Sequence, residues 1–127
     1  MEIIRKVDTN TFYIEYIHAF NGFLRLSNKE ILVLAAFLEE ESKLNEHSKE
    51  LLFETIIRKR IQDKLGITVY NLNNYISMLK GKGVIKVDER DRIFINSKII
   101  PKIENGKSLL TYKFVINAET EGNKRCS

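Results

Sequence analysis

The stretch Arg58 to Ile95, RKRIQDKLGITVYNLNNYISMLKGKGVIKVDERDRIFI, decides the fold. Ile57, Ile61 and Leu65 recur every fourth residue and so share one helical face. Gly66 follows directly, the residue type that ends a helix in a left-handed conformation at least steric cost. The Thr68 hydroxyl is placed to cap a second helix. In that helix Leu72, Tyr75, Ile76 and Leu79 fall at i, i+3, i+4 and i+7, again one apolar face. Gly81 and Gly83 are expected to stop it. Val84 to Val87 and Arg92 to Ile95 are β-prone runs joined by the polar turn Asp88, Glu89, Arg90, Asp91, which predicts a hairpin.

Upstream, Ser27-Asn28-Lys29-Glu30 has the form of a capping box, with Leu26 and Ile31 at the positions of a hydrophobic staple. Ile31 to Leu38 is apolar throughout, so this helix is expected to be buried on most sides. Glu39, Glu40 and Glu41 oppose the macrodipole at its end and read as a solvated, frayed terminus; the alternative is an acidic patch for a basic partner. Tyr13, Tyr16, Ile17, Phe20, Phe23 and Leu24 predict an amphipathic helix over Thr11 to Leu24. Its aromatic stripe is read as packing on its own domain in preference to a dimer seam. Met1 to Val7 is read as a short strand and Ser42 to Glu50 as a loop. Leu51 to Phe53 is either a strand beside the hairpin or the start of the next helix.

Downstream, Pro101 discourages a central strand near Ser97 to Ile103. Asn105-Gly106 signals a tight turn. Leu110, Tyr112, Phe114 and Ile116 alternate, so Ser108 to Asn117 reads as a strand paired with Lys98 to Ile103 or with the N-terminal strand. Ala118 to Ser127 reads as a polar tail.

The order of these elements resembles a winged helix-turn-helix domain. LGIT (65–68) and NLNNYISMLKGKGVI (71–85) resemble the turn, the recognition helix and the first wing strand of that superfamily. The implied fold class is α+β: a winged helix-turn-helix with an extra N-terminal helix and a C-terminal β-hairpin. One winged-helix domain spans 1–117, with its core at 27–96, an N-terminal extension at 1–26, a C-terminal hairpin at 97–117 and the polar tail at 118–127. The resemblance implies a protein that binds double-stranded DNA, either a transcription regulator or a replication initiator of a phage or mobile element.

Charge placement agrees with a phosphate-facing surface. Thr55 to Arg92 carries nine Lys or Arg against four Asp or Glu, while Asn28 to Glu54 carries three against seven. With the apolar residues of the second helix turned inward, Tyr70, Asn73, Asn74, Ser77, Met78 and Lys80 point outward. Asparagine and serine are base-edge readers in the major groove. Lys80, Lys82 and Lys86 fall where the helix end and first wing strand meet phosphates. Arg58, Lys59 and Arg60 lie on the helix that crosses the backbone. Arg90 and Arg92 complete the candidate DNA-binding set. Three acids surround them at the wing tip, which favours a wing that stays off the DNA or touches protein.

The rest excludes more than it assigns. One cysteine, Cys126, cannot form an internal disulfide and rules out a zinc finger. His18 and His47 lie isolated, and no phosphate-binding glycine loop or metal-ligand cluster is present, so neither enzymatic activity, cofactor nor metal is expected. No run of about 18 apolar residues occurs, so a cytoplasmic location without membrane contact is expected. That location is the host cytoplasm if the chain is phage-encoded, with the virion as the alternative. A homodimer, or a phage or replication protein as partner, is the further expectation. The rival reading is a non-enzymatic interaction module, such as an accessory component of a phage particle or replication complex.

Overall fold

The computed structural model describes residues 4–110 and 115–116. These residues form an α+β structure. In order come α1 (Phe12–Leu24), α2 (Asn28–Ser42), a 3-10 segment (Glu46–Phe53), α3 (Thr55–Leu65) and α4 (Val69–Gly81). Two antiparallel hairpins follow, β1 (Ile85–Val87) with β2 (Ile93–Ile95), and β3 (Ile103–Glu104) with β4 (Lys107–Ser108).

α2 is the central element. The Ser27 Oγ accepts from the Glu30 amide at 3.2 Å, and Glu30 Oε1 accepts from the Ser27 amide at 2.7 Å, closing the expected capping box. Ile31, Val33, Leu34, Ala35, Ala36, Phe37 and Leu38 are all buried, because α1, α3, α4 and the 3-10 segment each pack on this helix. Phe37 stacks on Phe53 with ring centroids 4.6 Å apart, which joins the 3-10 segment to the core. Leu51 to Phe53 is therefore neither strand nor α-helix, although its segment does lie against β2. The Asn45 side chain starts this segment by accepting from the His47 and Ser48 amides, which brings order to part of the expected loop.

The aromatic stripe of α1 packs within the chain. Tyr16 and Ile17 are buried, and Phe12, Tyr13, Tyr16 and Phe20 form successive ring contacts. The Tyr16 hydroxyl donates to the Ile99 carbonyl at 2.7 Å, so the N-terminal helix is tied to the segment after β2. α1 bends at Phe20 and ends on left-handed Arg25. Asn21 then makes two hydrogen bonds to the Leu26 backbone, setting the corner into α2.

In the first hairpin Ile85 faces Ile95, Lys86 faces Phe94 and Val87 faces Ile93. Buried Val84, Ile85 and Ile95 join its inner side to the core. The second hairpin turns at Asn105 and Gly106, both left-handed, as a two-residue turn of this kind requires. It is much shorter than expected. Leu109, Leu110, Val115 and Ile116 lie outside any strand, and the remainder of the expected strand, residues 111–114 and 117, lies outside the described residues. Ile4 to Val7 is exposed and not a strand, while Met1 to Ile3, the tail 118–127 and Cys126 with it lie outside the described residues. Among the described residues, no helix is long and apolar enough to cross a membrane.

Candidate nucleic-acid interface

The α3–turn–α4 unit forms by the local chemistry that its residues dictate. Gly66 takes φ +66° and its N–H, like that of Ile67, bonds the Gln62 carbonyl, closing α3. Thr68 Oγ1 accepts from the Asn71 amide at 3.1 Å and opens α4. Leu72, Ile76 and Leu79 are buried to 3% exposure or less, against α2, α3 and the hairpin. The opposite side of α4 is exposed: Tyr70, Asn73, Asn74, Ser77, Met78 and Lys80. α4 runs through Gly81, and it is Gly83, at φ +77°, that redirects the chain into β1.

Arg58 is half-buried and bridges two elements. Its Nε donates to the Phe53 carbonyl at 2.6 Å and its Nη1 donates to Asn73 Oδ1 at 2.8 Å. Two expected DNA contacts are therefore bonded to each other. Lys59 is exposed and lies 3.6 Å from Asp63, a surface pair that solvent largely screens.

Other cations are engaged by acids of the chain itself. Arg60 meets Glu40 through two hydrogen bonds of 2.9 and 3.2 Å, Lys64 meets Glu39 at 2.5 Å, and Lys49 meets Glu41 at 3.1 Å. The acidic end of α2 is thus a paired interface, not a frayed terminus, and Glu40 is buried. The counter-charges come from α3 and the 3-10 segment, which offsets three carboxylates at the negative end of a helix dipole. Lys82 Nζ reaches Glu30 Oε1 and the Arg25 carbonyl, each at 2.8 Å, so its charge is matched at the α1–α2 corner. Burial pushes the Glu30 carboxyl up. The Lys82 hydrogen bond, the Ser27 amide, the Lys82 charge and the Ser27 hydroxyl together outweigh burial and hold it below the ordinary range.

The hairpin tip is organised by Asp88. Its Oδ1 accepts from the Arg90 and Arg92 amides at 2.8 and 2.9 Å, and Oδ2 pairs with Arg92 Nε at 3.0 Å. The Arg92 amide is the main cause of an Asp88 pKa below the usual value, with the Arg90 amide and the Arg92 guanidinium adding to it. Arg92 is therefore a turn staple. Arg90 stays exposed at the tip, and Lys86 is exposed on the outer hairpin face beside Phe94.

Of the candidate DNA-binding residues, Tyr70, Asn73, Asn74, Ser77 and Lys80 share one exposed helix face, to which Arg58 is bonded. Lys82 and Arg92 are tied to acids. Sequence reasoning missed the structural use of Asp88, for which the signal was an aspartate opening a tight turn. It also missed Glu30 and Lys82 as partners, for which no local signal exists. No protein-family model, curated protein or solved structure matches the chain.

Proposed function

We propose that the chain is a winged-helix protein that binds double-stranded DNA, with α4 in the major groove and Lys59 and Lys80 on phosphates. One observation carries this reading. α4 buries one face almost completely and leaves amides, a hydroxyl, a phenol and an ammonium on the other. Those groups match base edges and phosphate oxygens. On this reading β1 and β2 are the wing. Lys86 and Arg90 supply its positive charge, and the chain serves as a regulator of transcription or an initiator of replication. Titration of labelled duplexes at several salt concentrations tests it. Binding should weaken linearly in log–log form as salt rises. Asn74→Ala with Ser77→Ala should narrow the gap between preferred and random sites by about 1–3 kcal/mol for each base pair no longer read. Failure to bind any duplex at low salt would remove the proposal.

A second reading has its own support. Val69, Tyr70 and Met78 on α4 and Val87 and Phe94 on the hairpin are each more than 40% exposed, apolar or aromatic side chains that a protein partner would cover. On this reading the unit contacts protein, in a particle or replication complex. It predicts a stoichiometric complex that survives nuclease treatment in size analysis. A monomer that binds duplex alone would set it aside.

A further inference from the structure

Asn73 differs from its neighbours on α4 because a cation from α3 holds it. Arg58 is anchored first, by the bond from Nε to the carbonyl of buried Phe53. Its Nη1 then meets Asn73 Oδ1 at 2.8 Å. A guanidinium carries donors only, so the amide must turn its oxygen toward Arg58 and its NH2 away. An unrestrained asparagine reads adenine with both ends, donating to N7 and accepting from the N6 amino group. Here Arg58 takes one of that oxygen's two lone pairs and fixes the amide's orientation, so Asn73 is no longer free to turn both ends to one base. Beside that oxygen, the NH2 of Asn73 and the remaining N–H groups of Arg58 make an edge dominated by donors.

Guanine is the base whose major-groove edge shows two acceptors, O6 and N7. Adenine would set its own amino group against these donors and leave polar groups unpaired, which costs binding energy. We infer that Arg58 and Asn73 act as one unit selecting guanine, with Asn73 the reading residue and Arg58 the positioning residue. The inference rests on α4 being the groove-facing helix proposed above.

The test selects duplexes from a randomised pool with the wild-type chain, Asn73→Ala, Arg58→Ala and Arg58→Lys, each first checked for a folded far-ultraviolet spectrum. The wild type should require guanine at one position. Asn73→Ala should weaken that requirement by about 5- to 150-fold, the range that one good base contact represents. Both Arg58 variants should shift the same position from guanine toward adenine, because the released amide is free to turn both ends to one base; Arg58→Lys retains the charge and serves if the alanine variant does not fold. Placing 7-deazaguanine, which lacks N7, in the selected site should weaken the wild type and leave Asn73→Ala unaffected. Adenine at the Asn73-dependent position of the wild type would overturn the inference while leaving DNA binding intact. So would an Asn73→Ala defect equal on all sequences, the mark of a phosphate contact. Absence of any duplex binding would remove both.

Discussion

Glu40 and Arg60 face each other across the α2–α3 interface in a two-point ion pair, the carboxylate buried and the guanidinium at the surface. The Glu40 hydrogen bond and charge raise the Arg60 pKa. A cation that reads as a phosphate contact in the sequence is thereby a tie between helices.

Arg60→Ala should lower the thermal midpoint more than Lys59→Ala does. The first leaves a buried carboxylate without its partner; the second removes half of an exposed, screened pair. Thermal melting of the two variants decides this, and equal midpoints would show Glu40 to be well solvated in the variant.

Glu30 gives stability a defined pH dependence. Its folded pKa lies below the reference value of 4.5, so its contribution is present above that pH and is lost as pH falls through the folded value. Lys82→Ala removes the strongest lowering influence and leaves burial opposed only by the Ser27 groups. The variant should be less stable near neutrality by about 1–3 kcal/mol, as expected for a buried charged group deprived of a partner. It should also show a smaller further decline below pH 4.5 than the parent. Urea unfolding at a series of pH values checks both.

Gly66→Ala should cost about 1 kcal/mol or somewhat more through backbone strain alone, because φ is +66° and an added Cβ would meet no atom within 4 Å. Gly22→Ala, in ordinary helical territory with the same free space, should be neutral or stabilising. Denaturant unfolding of the pair separates strain from crowding.

Lys80 and Lys82 should part ways in binding experiments. Lys80→Ala should reduce the salt slope by roughly 0.9, the value for one phosphate contact. Lys82→Ala should leave the slope near that of the parent, because its ammonium is matched by Glu30 and the Arg25 carbonyl. Its defect should appear in melting curves.

Much of the architecture is legible from residue order. The Ser27–Glu30 capping box, the Gly66 stop, the Thr68 cap, the inward row Leu72, Ile76 and Leu79 and the Asn105-Gly106 turn all stand where local pattern puts them. Among the described residues the C-terminal hairpin pairs over two residues, Ile103 and Glu104 with Ser108 and Lys107, and Leu109, Leu110, Val115 and Ile116 lie outside it although Leu110 and Ile116 continue the alternating pattern. The segment after α2 is more ordered than its polar composition suggests, since that composition conceals the Asn45 cap and the buried Leu52 and Phe53.

Helix identity, helix ends and the exposed face of α4 follow from contacts within about four residues, where steric limits and capping bonds act without reference to the remainder of the chain. Which charges stay available does not. Lys82 finds Glu30 from 52 residues away, Arg60 finds Glu40 from 20, Tyr16 finds Ile99 from 83, and Arg58 holds Asn73 from the neighbouring helix. Those pairings exist only once α2 is buried at the centre and brings the other helices around it, because an ion pair depends on separation in space and residue order carries no such distance.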